Sequence, residues 1–484
     1  MSSFLVSLAV LIGGYFIYGL IVDRILATDP NRDMPSRSMR DGIDYMPIPA
    51  WKSFLIQFLN IAGLGPIFGA IMGVMFGPSA FIWITLGTIF AGAVHDFVSG
   101  VVSIRSGGAS LPEIVGHQLG SSVRSVMTVF SCVLLILVGA VFISTPATII
   151  SDLTPVYLDR WFWVAMIFLY YLMATLLPID KVIGRLYPVF GFALLFMALG
   201  ILAVMLFDPS VEIPLDFKDG FHNRSAAAET HPIFPMMFVS IACGAISGFH
   251  ATQSPMIARC LTNEKLARPV FYGAMVAEGI VALIWAAAAI AFTGGYEELG
   301  EYFANHSGGA ATLVNDISLT WLGTAGGIMA IFGVVAAPIT SGDTALRSTR
   351  LIVADFLKID QRGFIKRLAV SIPIFVCVVL LMMIDFNVLW RYFAWANQTL
   401  SVFTLWAVTV YLARHRKAYV VTLIPAIFMT VVCVSYLLFA PSPEGFGLDI
   451  TIALGAGLIV ASGFIFLFAS WLRRKSGELA PVEQ

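Results

Sequence analysis

The chain has 484 residues, 59% apolar and only 12% charged, against roughly 25% charged in a soluble domain. Its formal net charge of −1 carries no information about partners, and no nucleic-acid partner is expected. Apolar runs near 20 residues recur along the whole length, each enough to cross about 30 Å of hydrocarbon. A soluble fold is thereby excluded, and the lipid bilayer is the first expected partner.

Taken from the amino terminus, length and flanks predict thirteen transmembrane helices, near 3–22, 52–77, 79–102, 126–150, 162–178, 187–207, 234–260, 269–294, 320–345, 367–384, 388–412, 419–440 and 449–472. The fold class is an all-α polytopic membrane protein. Basic residues test the count independently. Arg24, Arg32, Arg37, Arg40 and Lys52 follow the first span, Arg105 and Arg124 the third, Lys181 and Arg185 the fifth. Arg259, Lys265 and Arg268 follow the seventh, and Arg347, Arg350, Lys358, Arg362, Lys366 and Arg367 the ninth. Arg414, Arg416 and Lys417 follow the eleventh, and Arg473, Arg474 and Lys475 the last. Of the 28 Lys and Arg, only Arg160, Lys218, Arg224 and Arg391 fall on the other side. This bias predicts an amino terminus outside and a carboxyl terminus in the cytoplasm, in a multi-pass inner-membrane protein.

Smaller features complete the pass. The first span has no basic residue ahead of it and reads as an uncleaved anchor. Two long outer loops, 208–233 and 295–319, carry most of the outward acids; they either cap an entrance or are merely solvated. Ser110-Leu-Pro-Glu113 fits a capping box that opens a short amphipathic helix ending near Gly120. Cys132, Cys243, Cys260, Cys377 and Cys433 show no metal or disulfide spacing and read as small packing residues.

Two spans are broken at their middles. The first contains Asn60-Ile-Ala-Gly-Leu-Gly-Pro66, the second Ala242-Cys-Gly-Ala-Ile-Ser-Gly-Phe-His-Ala-Thr-Gln-Ser-Pro255. Unwound backbone inside lipid is tolerated only where it is buried in protein or lines a cavity. Five spans run from the first break to the second and five more to Arg414, so the second set enters from the opposite side. Paired breaks in a 5+5 inverted repeat point to a transporter's binding site. The expected organisation is an amino-terminal span and loop (1–50), a first repeat (51–207), an outer loop (208–233), a second repeat (234–414) and two accessory spans with a tail (415–484).

Asn60-Ile-Ala-Gly-Leu-Gly65 resembles the discontinuous first core helix of LeuT-type transporters, whose sixth core helix is also discontinuous. The resemblance implies that the carbonyls of Leu59 and Ala62 face a sodium ion, and that the amides of Leu64 and Gly65 face an anionic substrate group. It further implies a sodium site completed from the eighth core helix by Ala337, Thr340 and Ser341, in Ala337-Pro-Ile-Thr-Ser341. The alternative for Thr340 and Ser341 is a bond back to their own helix. No cofactor is expected beyond that sodium ion. The segments Ile61-Ala-Gly-Leu-Gly-Pro-Ile-Phe-Gly69, Ala91-Gly-Ala-Val-His-Asp-Phe97, Ser106-Gly-Gly-Ala-Ser-Leu-Pro-Glu113 and Ile241-Ala-Cys-Gly-Ala-Ile-Ser-Gly-Phe-His250 resemble the carbon starvation protein A (CstA) family. That resemblance implies peptide uptake linked to carbon shortage, or pyruvate import by proton symport. This chain is shorter than the family's long members and departs from them after His250, which bears on substrate.

The substrate pocket is thus expected from Ala62, Gly63, Leu64 and Gly65 at the first break, and from Ser247, Gly248, Phe249, His250, Thr252 and Gln253 at the second. Ionisable groups inside spans are expensive and usually face a pathway. Asp96 in the second core helix, Glu278 in the seventh and Asp343, placed at the inner end of the eighth, are the coupling candidates, with His95 beside Asp96; the alternative for the two aspartates is an inner-surface ion pair with Arg105 or Arg347. An enzyme is not expected, since neither H-E-x-x-H nor a convincing G-x-S-x-G occurs. Haem ligation is disfavoured because only His95 and His250 lie in spans; a channel is the harder alternative. The expectation is cation-driven uptake of a small carboxylate-bearing nutrient, a short peptide before pyruvate.

Overall fold

The computed structural model describes residues 1–152, 154–177, 183–306, 309–384, 386–442 and 444–475. Lys181 and the side chains of Arg185, Arg391 and Lys475 lie outside these, as does the tail 476–484. The helices in chain order are α1 (Ser2–Leu26), α2 (Ala50–Ile61), α3 (Gly65–Phe76), α4 (Ser79–Arg105), α5 (Leu111–Leu119), α6 (Ser121–Asp152), α7 (Arg160–Leu176) and α8 (Ile183–Phe207). There follow α9 (233–240), α10 (Gly248–Ala258), α11 (Glu264–Thr293), α12 (Tyr296–Asn305), α13 (Gly309–Ala330), α14 (Ala336–Leu357), α15 (Phe364–Leu381), α16 (Phe386–Arg414), α17 (Val420–Phe439) and α18 (Ile450–Lys475). Among the described residues the fold is all-helical.

Eight helices are long and apolar enough to cross a bilayer, and the pair α2–α3, bent by 57°, makes a ninth. The remaining expected spans fall on α7, α9–α10, α13–α14 and α16, which are shorter, interrupted or more polar; length and composition alone do not reach thirteen. Burial sorts centre from rim. The apolar windows of α4 and α11 are 83% and 78% buried, those of α1 and α18 only 22%, so the first pair is enclosed by protein and the second faces lipid.

Backbone chemistry explains both interruptions. At the first, the Gly63 amide turns back onto Ile61 O at 2.8 Å, and Pro66, without an N–H, sits in the opening turn of α3. At the second, α9 ends at Ser240 and α10 resumes at Gly248, where α16 comes so close that a Cβ would lie 2.4 Å from Asn397 O. Only glycine fits there. The two breaks touch: a Cβ on Gly65 would stand 2.2 Å from Cys243 Cβ.

Arginine-bearing loops meet at one end of the bundle. Arg105 Nε donates to Glu264 at 2.7 Å, Lys417 Nζ to Leu26 O at 2.9 Å, and Arg414 Nη1 to His117 O at 2.9 Å. At the opposite end the Met1 ammonium donates to Ile213 O, and Ser79 Oγ donates to Phe221 O. The 208–233 segment is thereby strapped over α1 and α4, while much of 295–319 is helical, as α12 and the start of α13.

Two sequence expectations need correction. The eighth core helix was expected to end at 345, but α14 continues to Leu357, placing Asp343 inside the helix and not at its inner end. The cause is that Arg347 and Arg350, which look like markers of the water boundary, are fully buried. The capping box at Ser110 does not form either. Ser110 precedes α5 without a side-chain cap bond, and Glu113 instead meets Arg124 at 3.4 Å.

Candidate substrate and coupling site

The first break presents mainly backbone. Ala62 ends α2, its amide bonded to Phe58 O at 2.7 Å, and Leu64 O accepts from the amides of Ile67 and Phe68. The amides of Leu64 and Gly65 belong to the opening turn of α3, where a helix has no acceptor of its own to offer. On α2, one turn before the break, both amide groups of Gln57 and Asn60 are buried without a hydrogen-bond partner in the protein. Each such orphan costs about 1–3 kcal/mol when it is dry, so this face is built for polar company.

The second break is held by protein. Asn397 Oδ1 on α16 accepts from Ser247 Oγ at 3.0 Å and from the Phe249 amide at 2.7 Å. From α4, Thr88 Oγ1 donates to Gly244 O at 3.0 Å. Thr252 and Gln253 have partners within the protein: Thr252 Oγ1 donates to Phe249 O, and Ser348 Oγ of α14 donates to Gln253 Oε1 at 3.5 Å. An open cavity of 260 Å³ reaches both breaks, with Gly65, Phe68, Cys243, Ser240 and Phe393 among its lining.

Behind the second break lies a chain of ionisable groups. His95 Nδ1 is 2.7 Å from Asp96 Oδ1, His250 Nδ1 is 2.9 Å from Asp96 Oδ2, and His250 Nε2 is 3.5 Å from Glu278 Oε2. All four side chains are fully buried. An ionised carboxylate only accepts, so both imidazoles must give Nδ1–H to Asp96. His250 Nε2 is then left facing Glu278 Oε2. Neither Glu278 oxygen has a hydrogen-bond partner in the protein, and nor has His250 Nε2. Charges so enclosed persist only when paired.

Asp343 belongs elsewhere. Tyr170 Oη of α7 donates to it at 2.6 Å, Tyr187 Oη of α8 donates to its other oxygen, and no ion pair joins it to Arg347. Of the expected sodium ligands, Leu59 and Ser341 meet directly, Ser341 Oγ donating to Leu59 O at 2.9 Å. Thr340 Oγ1 instead bonds back to Ala337 O at 2.8 Å. A Cβ on Gly63 would sit 3.2 Å from Ser341 Oγ, so α14 and the first break are in van der Waals contact here.

Sequence reasoning overlooked Asn397, Gln57, Tyr170, Tyr187 and Asp44. Asn397 had a readable signal, a polar pair with Gln398 inside an apolar run. Asp44 had none, being one acid in a polar loop. Yet it is buried between Arg347 Nη1 at 2.8 Å and Arg350 Nη2 at 3.1 Å, locking that loop to α14 at the arginine-rich end. Burial alone would raise its pKa, but the guanidinium groups of Arg350, Arg347 and Arg259 hold it well below the usual carboxylate range.

The model of the carbon starvation protein CstA family matches residues 1–154 and 147–325. The chain belongs to that family. It is 42% identical over 335 residues to an uncharacterised membrane protein of Haemophilus influenzae, a match covering 60% of this chain and 90% of that one. It is 26% identical to the peptide transporter CstA and to the pyruvate/proton symporter BtsT of Escherichia coli, each over 62% of this chain. The matches cover only 51% and 49% of those two proteins, about half their length. Among solved structures, MhsT in complex with L-phenylalanine aligns with 84% of this chain and 98% of its own at a TM-score of 0.53 and 14% identity. That likeness establishes a LeuT-type fold. The two Escherichia coli relatives are transporters, and the helices of this chain are those of a polytopic membrane protein.

Proposed function

We propose that this CstA-family chain is a secondary transporter importing a small carboxylate-bearing nutrient by cation symport with alternating access. Short peptides are the first substrate class and pyruvate the second, following the descriptions of its relatives. The observation that carries the reading is the fully buried run His95–Asp96–His250–Glu278 directly behind a break that lines the open cavity. A proton bound between His250 and Glu278 neutralises an otherwise unpaired carboxylate; its release leaves a charge that the closed interior cannot hold. Loading and access are coupled in this way. The first break supplies the substrate end: helix-opening amides at Leu64 and Gly65 suit a carboxylate. A cavity of 260 Å³ lies at the small end of ligand pockets, matching a small solute.

One contact favours a second coupling reading. Ser341 Oγ at Leu59 O joins the two helices that would share a sodium ion, and Ala62, Ala337 and Thr340 add oxygen donors nearby in sequence. Uptake of labelled peptides and pyruvate into liposomes, with proton and sodium gradients imposed separately, tests both. The proposal expects accumulation driven by an inward proton gradient. Accumulation with sodium alone transfers the coupling role to the Ser341 region. Conduction that neither saturates nor concentrates solute would make the protein a channel and end the proposal.

A further inference from the structure

A separate cavity of 350 Å³ lies between α16, α18 and the end of α5, remote from both breaks. Leu119, Val123, Phe403, Trp406, Phe464 and Trp471 form most of its wall, which is nearly all hydrocarbon. Trp406 meets Phe464 edge-on at 5.7 Å, and Phe468 stacks on Trp471 at 5.9 Å, giving rigid aromatic sides. Leu467, also in the wall, is 63% exposed, so the groove opens on the lipid-facing side of α18. From Phe464 to Trp471 is two turns of helix, a slot about 10 Å long.

The head of this slot differs from the other lipid-facing surface. Arg414, closing α16, donates to His117 O and Gln118 O and lies 5.8 Å above the Trp471 ring. Arg473 and Arg474 follow Trp471 on α18. Gln118 lines the groove, and its Oε1 is buried with no hydrogen-bond partner in the protein. The combination is an apolar slot, a cationic rim, and one unsatisfied acceptor beside it. A phosphodiester answers the arginines, and a headgroup hydroxyl answers Gln118 Oε1.

We propose that this groove binds an anionic glycerophospholipid from the leaflet at the arginine-rich end. Its acyl chain lies along α18, its phosphate at the Arg414–Arg474 rim and its headgroup hydroxyl on Gln118. The bound lipid fills the seam between α18 and α16, the helix whose Asn397 holds the second break.

Native mass spectrometry of the full chain, equilibrated with vesicles of phosphatidylglycerol or of phosphatidylcholine, tests the site without any transport assay. The wild type is expected to retain one phosphatidylglycerol preferentially. Arg474→Gln should cut that preference about fivefold, the worth of one arginine at a membrane surface. Leu467→Trp, which fills the slot, should lose the adduct while circular dichroism and thermal melting stay those of the wild type. Equal retention of the two lipids overturns the proposal, as does an adduct indifferent to Leu467→Trp. A dimer that excludes lipid and dissociates in Leu467→Trp also overturns it, by giving the groove to a second copy. If Leu467→Trp melts early, Gln118→Leu serves instead, and unchanged preference in that variant counts against the site.

Discussion

The two broken helices look alike in sequence and are built on opposite principles. The first exposes its own backbone: its helix-opening amides have no intrahelical acceptor, and Gln57 and Asn60 stand beside it without partners. The second has its ends tied off by other helices, Asn397 taking the Phe249 amide and Ser247 hydroxyl, Thr88 taking Gly244 O. Its ionisable neighbours lie one residue further on, where His250 meets Asp96 and Glu278. A break can therefore serve as a receptor or as a joint. In this chain the first has the chemistry to receive solute, and the second positions an imidazole.

That contrast can be broken most sharply at the joint. Glu278→Gln should reduce proton-driven accumulation to the level of empty liposomes while leaving substrate-for-substrate exchange measurable; retained proton-driven uptake would remove the quartet from coupling. Next in size is the contact between the breaks. Gly65→Ala overpacks Cys243 and should cost about 1–3 kcal/mol, with transport lost; pairing it with Cys243→Gly should restore both, as read by melting temperature and uptake. Asn397→Ala should lower stability by about 1–2 kcal/mol through two lost hydrogen bonds, and should alter KM less than the maximal rate, because it frees a joint and not a receptor. A larger change in KM would make Asn397 part of the substrate pocket.

The smallest effects concern cations and pH. Thr340→Ala with Ser341→Ala should abolish any sodium stimulation; unaffected sodium-driven uptake would remove the ion from this place. Asp44 sets the pH control. Its pKa is depressed in the fold, so its stabilising pairing is complete above the unfolded value of about 3.9 and is lost only as pH falls through the lower folded value. Between pH 5 and 8 its contribution is constant. Asp44→Asn should thus speed labelling at the arginine-rich end equally at pH 5.5 and pH 7.5, while the wild-type pH response of uptake persists.

Much of the fold was legible because lipid imposes few solutions. Long apolar runs follow from the thickness of the hydrocarbon, alternating basic flanks from the charge bias that sets orientation, and the rarity of interruptions from backbone hydrogen bonding in lipid. The end of α14 was not legible, because Arg347 and Arg350 are buried by a partner, Asp44, some 300 residues away in sequence. Within the site, Asp96, His250 and Glu278 could be singled out as ionisable groups in spans, but their convergence required α4, α10 and α11 to meet. Asp343 carried the same signal and sits apart between Tyr170 and Tyr187, so residue type alone does not tell which ionisable groups come together.

The Asp44 arrangement has a mechanical consequence. A carboxylate seated between two guanidinium groups, with both partners sealed from solvent, behaves as a bolt shot between the loop 27–49 and α14. Salt cannot reach it to weaken it, so ionic strength outside the protein leaves it in place. Beside it, Arg259 lies 5.0 Å above the Tyr45 ring and adds a second hold on the same loop. A strip of chain outside the spans and the helix α14 are in this way fastened into one piece at the arginine-rich end.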